Sequence, residues 1–357
     1  MTDVAAAISA RAEALGFDAV GMTRADVPLE DDYARYRDFI AAGFHGEMGY
    51  LAAHGEVRAR LDTDAILAGA RTVICLARRY AGAARDEPSP GSLGAAIARY
   101  ARGRDYHNHL RKRLQRLAAF VRGLAPGTRA RALVDTAPVL ERAWAARAGL
   151  GFVGKNGLLI VPGVGSFVLL GEVVTTLEVP ASALGTPMAD RCGHCRACLD
   201  ACPTDAFVRP FVLDARRCLA YGTIERKSVP TTAPETPGAA AEHVFGCDDC
   251  QTACPYNRAP RAALPSDSPF ALHARWSTTS LAQLVTLDDE GFARLTEGSP
   301  LRRAGRRGLA RNALMAAAAR GDADTLAAGR RHDDEDVAAL ARVLSEEVDA
   351  PRSDEES

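Results

Sequence analysis

Eight of the nine cysteines in this 357-residue chain fall between positions 192 and 254, at spacings that suit iron–sulfur chemistry. CGHCRACLDACP (192–203) sets Cys192, Cys195, Cys198 and Cys202 at C-x2-C-x2-C-x3-C-P. CDDCQTACP (247–255) adds Cys247, Cys250 and Cys254, and Cys218 stands alone between the two runs. Two 4Fe–4S cubanes need eight thiolates. In such runs three cysteines on a tight turn hold one cube, and the cysteine before the proline crosses to the other. The spacing therefore predicts Cys192, Cys195, Cys198 and Cys254 on one cluster, with Cys202, Cys218, Cys247 and Cys250 on its neighbour. Structural zinc also uses C-x2-C pairs, but the third cysteine at x2 and the fourth before proline suit cubanes better. Disulfides would require an oxidising compartment, and the N-terminus MTDVAAAISARAEALG lacks the basic region of a secretory leader. The ninth cysteine, Cys75, lies in the apolar run RTVICLARRY and reads as a core thiol.

A second chemical site is suggested by VDTAPVLERAWAARAGLGFVGKNGLLI (134–160), where Asp135 ends a strand-like run just before a helix-like one. Ligands gather at such positions in α/β sheets. A carboxyl near Val134, Val139 and Leu140 is a candidate for a raised pKa and for acid catalysis. The alternative is that Asp135 or Thr136 caps the helix that follows. Tyr106 and His107 offer further polar groups, or simply open a helix. GFVGKNG places Lys155 and Asn156 on a tight turn that is not a P-loop.

These residues need elements to position them. Residues 1–180 read as an α/β domain of alternating strands and helices, with a long helix at 107–123 and a helix from Pro138 to Gly149. Within the apolar stretch 157–177, Pro162, Gly163 and Gly165 argue for a β-hairpin and against a membrane span. Residues 181–262 form a small two-cluster, ferredoxin-like domain, with a Pro/Thr/Ala-rich loop at 228–243. Residues 263–345 read as helical, with HEAT-like segments at 301–319 and 336–344, and 346–357 as a disordered acidic tail. Arg302, Arg303, Arg306, Arg307 and Arg311 share about half the circumference of the 301–319 helix. They form either a solvated face or a grip on phosphates. A net charge of −1 excludes global basicity, and 47% hydrophobic with 25% charged residues is ordinary for a soluble protein.

From about residue 3 to residue 315 the segments resemble those of epoxyqueuosine reductases. The resemblance is carried by HGEMGYLAAH (45–54), ARYARGRDYH (98–107), the Asp135 block, both cysteine motifs, FGCDDCQTACPYN (245–257) and the arginine run after Pro300. It implies two 4Fe–4S clusters and base-off cobalamin, reduction of an epoxide to an alkene on tRNA, and Asp135 as proton donor. It further implies corrin contacts from Arg58, Lys155 and Asn156. CLAYGTIERK (218–227) resembles a stretch that touches cobalamin and tRNA, bringing in Ala220, Tyr221 and Thr223. Here Gly222 replaces the usual Leu and Arg226 an aliphatic residue, which leaves those three contacts open. No D-x-H-x-x-G signature occurs, in keeping with a lower axial position not held by a protein histidine. The arginine run becomes a tRNA contact through Arg302, Arg303, Arg306 and Arg307. The expectation is a cytoplasmic monomer with an external electron donor and no membrane partner. The alternatives are another corrinoid–iron–sulfur reductase acting on a small molecule, such as a dehalogenase, and a non-catalytic electron-transfer module.

Overall fold

The structure is a computed structural model that describes residues 3–83, 86–230, 243–258, 262–265 and 267–349. The chain forms two compact units, each assembled from three stretches: 1–81, 106–215 and 249–261 in the first, and 82–105, 216–248 and 262–357 in the second. They cut across the sequential segments expected from the sequence.

The first unit is built on a four-stranded sheet. Its strands are β1 (Ala19–Arg24), β2 (Thr72–Arg79), β3 (Ala130–Leu133) and β6 (Val168–Thr175), in the order β1-β2-β6-β3 and antiparallel throughout. Helices α1 (Val4–Ala14), α2 (Glu30–Ala41), α3 (Gly55–Ala59), α4 (Tyr106–Arg122) and α5 (Glu141–Arg147) belong to the same unit. In α4, Leu110, Leu114, Leu117, Ala118 and Val121 are buried, one stripe at helical spacing. That stripe covers one face of the sheet, where a Cβ on Gly171 would lie 2.6 Å from Leu114. Neighbouring strand residues point to opposite faces, so Glu172 looks the other way, toward the layer containing α5. Gly21, Cys75, Glu172 and Leu133 form one row across that face. Cys75 and Leu133 pack with Trp144 and Ala145 of α5 in the core. Cys75 is fully buried, as its apolar run predicts.

The 157–177 stretch turns back on itself only through an isolated antiparallel bridge between Val161 and Gly165, and its two strands pair elsewhere. Its first half is β5 (Leu159–Ile160), which pairs with β4 (Phe152–Val153), while its second half is β6, inserted between β2 and β3. Two apolar runs around a turn carry no record of which strands they will pair with. The helix after Asp135 is also shorter than expected, starting at Glu141. A small hairpin, β7 (Phe207–Arg209) and β8 (Val212–Leu213), follows the first cysteine run.

The second unit is helical. Helix α6 (Leu219–Ile224), α7 (Leu281–Val285), α8 (Gly305–Arg320), α9 (Ala323–Gly329) and α10 (Glu335–Asp349) surround a core that includes Ile97, Phe245, Trp276, Leu309 and Leu340. Residues Pro300–Ala304 form a separate 3-10 turn, and Gly305 at φ 76° breaks it from α8. The expected helix over 301–319 is thus two pieces. Helix α10 takes in residues 346–349 of the expected acidic tail, whose remainder lies outside the described residues, as does 231–242 of the expected loop. Among the described residues, no helix is long and apolar enough to cross a membrane.

Candidate active site

Strand β3 ends at Leu133, and the chain turns through 134–140 before α5 begins. Val134 and Val139 are buried, while Asp135 and Thr136 between them are exposed, so the loop is pinned at both sides of an open apex. Asp135 has φ 36°, a left-handed conformation that non-glycine residues rarely adopt. Its Oδ2 accepts from the Tyr106 hydroxyl at 3.0 Å and lies 2.8 Å from His107 Nε2, both at the start of α4. The two rings stack, with centroids 4.2 Å apart. The Asp135 side chain remains half exposed, at 51%. The residue does not cap α5. Leu140 occupies the N-cap position without a side-chain bond, and the Thr136 hydroxyl donates to the Val134 carbonyl at 3.1 Å.

Two carboxyls that the sequence reasoning passed over stand behind this loop. The Asp135 backbone N–H donates to Glu141 Oε1 at 2.7 Å. Glu172 is fully buried, and among the described residues neither of its carboxyl oxygens has a hydrogen-bond partner. Desolvation first, then the nearby Asp135 charge, pushes Glu141 up to about 8, although the Asp135 N–H partly offsets both. Glu172 is raised well above the usual carboxylate range, by desolvation and then by Glu141 and Asp135. A lone acidic residue inside the apolar run SFVLLGEVVTTL was the signal for Glu172.

The structure brings Cys192, Cys195, Cys198 and Cys254 around one cavity of about 270 Å³, lined also by Lys155, Asn156, Ile160, Arg191, Pro255 and Tyr256. The Lys155 ammonium donates to the carbonyls of Gly193, at 2.5 Å, and Cys195, at 2.9 Å, so its charge is committed to the cysteine turn. Burial pushes the Cys192 thiol up to about 11 and raises Cys198 and Cys254 as well. All four thiols are free of disulfides, as are the other cysteines. Cys202 and Cys250 lie in the first unit, where Cys202 Sγ accepts from the Ala206 N–H at 3.3 Å. Cys218 precedes α6 in the second unit, where Cys247 Sγ is 3.7 Å from His243 Nε2.

The remaining candidates divide. Arg58 is buried, stacks 5.3 Å from the Tyr36 ring centroid and donates to the Tyr50 carbonyl at 3.2 Å, yet its Nε has no acceptor among the described residues. Asn156 is buried, and its Nδ2 likewise has no acceptor among the described residues. On α6, Ala220 is half-buried and Tyr221 is buried under Arg226, which lies 5.7 Å from its ring centroid. The Thr223 hydroxyl donates to Leu219 and accepts from the Gly246 N–H.

The arginines are not a uniform basic face. Arg303 pairs with Glu225, Arg306 with Asp289 and Asp333, and Arg307 with Asp334 and Asp336. Arg311 is buried and donates to the carbonyls of Gly222, Arg226 and Ser228, while Asn312 holds those of Thr223 and Val244. These two residues fasten α6 and the segment leading to Cys247. Arg302 stands on the exposed surface.

Residues 60–136 match the family described as epoxyqueuosine reductase QueG, DUF1730, and residues 191–257 match the 4Fe-4S double cluster binding domain. An epoxyqueuosine reductase of Gloeobacter violaceus is 48% identical over 328 residues, covering 90% of this chain and 98% of the relative. The Escherichia coli enzyme of the same name is 36% identical, covering 85% and 77%. Among solved structures, the Bacillus subtilis epoxyqueuosine reductase, with its aspartate catalytic loop swung out of the active site, matches at TM-score 0.84 and 25% identity, covering 97% of this chain and 90% of that one. An epoxyqueuosine reductase solved with an epoxyqueuosine-modified tRNA stem loop matches at TM-score 0.80 and 25% identity, covering 97% and 98%. With a nearly full-length relative at this identity and both family matches in one sequence, this chain belongs to the epoxyqueuosine reductase family.

Proposed function

We propose that this chain reduces epoxyqueuosine to queuosine at the wobble position of tRNA, with Asp135 as the proton donor. The observation that carries the assignment is the half-exposed Asp135 carboxyl, aimed by Tyr106 and His107 from the start of α4. Turning an epoxide into an alkene takes two electrons and two protons and releases the ring oxygen as water. Departure of that oxygen as a bare alkoxide is costly, so an acid must stand within hydrogen-bond reach.

When bound, the two 4Fe–4S clusters supply electrons singly and cobalamin supplies a low-valent, strongly reducing cobalt centre. Four thiols around one cavity are the donor set a cubane needs. Cys192, Cys195, Cys198 and Cys254 ligate one cluster, and Cys202, Cys218, Cys247 and Cys250 the other. Arg58 and Asn156 each carry a buried donor with no acceptor among the described residues, a fit to the amide-rich rim of a corrin, and they would hold it. Lys155 supports the cysteine turn, while Tyr221 and Thr223 support α6, leaving Ala220 as the contact from that helix. Arg302 leads the contact to tRNA phosphates, assisted by Arg303, Arg306 and Arg307 once phosphate competes with their carboxylates. The protein works as a cytoplasmic monomer, where its tRNA substrate is found, and takes electrons from an external donor.

The test is turnover of epoxyqueuosine-modified tRNA by Asp135→Ala and Asp135→Asn, read by mass analysis of the released nucleoside. Both variants should keep their clusters and cobalamin and slow by about a hundredfold or more. Wild-type rates in either would overturn the assignment.

A further inference from the structure

Glu141 is the first residue of α5, a place where an acidic side chain ordinarily does no more than favour the helix dipole. Here its carboxyl is turned back along the chain. Glu141 Oε1 accepts the backbone N–H of Asp135, six residues earlier, at 2.7 Å. Neighbouring loop residues bond locally, from Thr136 to Val134 and from Val139 to Ala137. The Glu141 bond instead joins the main chain of the apex to a helix whose Trp144 and Ala145 are fixed in the core. At φ 36° Asp135 is in the left-handed region, which a non-glycine residue adopts at some cost, and the Glu141 bond helps to hold it there.

We propose that Glu141 is a positioning residue, a latch that holds the 134–140 loop in the conformation presenting Asp135 to the substrate. The proposal rests on the assignment of Asp135 as donor. Tyr106 and His107 aim the carboxyl, and Glu141 holds the backbone from which it projects. Releasing that N–H lets the loop relax toward ordinary dihedrals, and the carboxyl leaves its two partners. Burial raises the proton affinity of Glu141 while the Asp135 N–H lowers it, and a carboxyl in either protonation state keeps an oxygen that can accept from that N–H.

The experiment follows hydrogen exchange at the Asp135 amide in the cluster-loaded full chain, alongside turnover of modified tRNA. In Glu141→Ala, the Asp135 amide should exchange about tenfold faster. The same variant should lose about tenfold or more in kcat, with KM for tRNA within about twofold of wild type. Glu141→Gln keeps an acceptor oxygen and should restore both readouts to within about threefold. A residue acting only through the helix dipole would leave the Asp135 amide unchanged in both variants, which would overturn the latch. Failure of glutamine to rescue would do the same. Should the alanine variant not fold, the wild-type protein still decides, since an Asp135 amide exchanging at the rate of an unprotected loop excludes the bond. Asp135→Asn is assayed in parallel. Full activity there removes the donor assignment, whereas the amide readout judges the latch separately.

Discussion

The ammonium of Lys155 sits 2.9 Å from the carbonyl oxygen of Cys195, tying the Lys155–Asn156 turn to the turn that carries Cys192, Cys195 and Cys198. A cation directed at main-chain carbonyls stabilises the turn whose sulfurs must point into one cavity. It has less to give to a corrin. Lys155→Met should therefore weaken the cluster held by Cys192, Cys195, Cys198 and Cys254, lowering iron toward about four per chain from about eight. Cobalamin retention should change little. Unaltered iron with weakened cobalamin binding would restore Lys155 as a corrin contact.

Cys254 tests the crossed ligation. It shares its cavity with Cys192, Cys195 and Cys198, although it follows them by more than fifty positions. Cys254→Ser should remove or destabilise that cluster and leave the other, as iron content and the electron paramagnetic resonance of the reduced protein would reveal. Selective loss of the second cluster would reverse the assignment.

Glu141 and Glu172 give the fold a pH dependence whose sign is fixed. Both have proton affinities raised in the folded state, so above the unfolded carboxylate range the native protein binds more protons than the unfolded one. Stability from Glu141 is fully present below about 4.5 and is lost as pH rises through about 8. The midpoint of thermal unfolding should fall over that window, and Glu141→Gln should flatten the fall. Glu172→Gln should flatten it further, since Glu172 is the more buried of the two. A wild-type midpoint that rises or stays level from pH 5 to pH 8 would show that these carboxyls are already ionised.

The parts of the site legible in the sequence are those written in local spacing. The cysteine turns are set by intervals of two and three residues, and the sequence also marked Asp135 as standing between a strand and a helix. Glu172 was not legible as a neighbour of Asp135, because their proximity comes from the register that places Glu172 opposite Leu133. The same missing information made 157–177 look like a hairpin. In the arginine run, periodicity could count positive charges, but Asp289, Asp333, Asp334 and Asp336 arrive from other segments. Gly305, with its positive φ, divides a run that composition alone makes continuous.

Those ion pairs separate the arginines in their response to salt. Arg306 is 19% exposed and bound to Asp289 and Asp333, so a phosphate would have to displace two carboxylates before gaining its charge. Arg302 is exposed and can neutralise a phosphate by direct approach. Each neutralised phosphate releases condensed counterions and adds about 0.7 to 0.9 to the slope of log affinity against log salt. Arg302→Ala should then weaken tRNA binding alike for modified and unmodified stem loops and reduce the slope by about one unit. Arg306→Ala should leave the slope nearly unchanged, although it removes the same formal charge. Reduction of the free epoxyqueuosine nucleoside should be equal in both variants, since that substrate has no phosphate to grip. Titration of each variant with a tRNA stem loop at two salt concentrations separates the two residues. Equal slopes for Arg302→Ala and wild type would mean that the exposed guanidinium meets only solvent and that phosphate binding lies elsewhere.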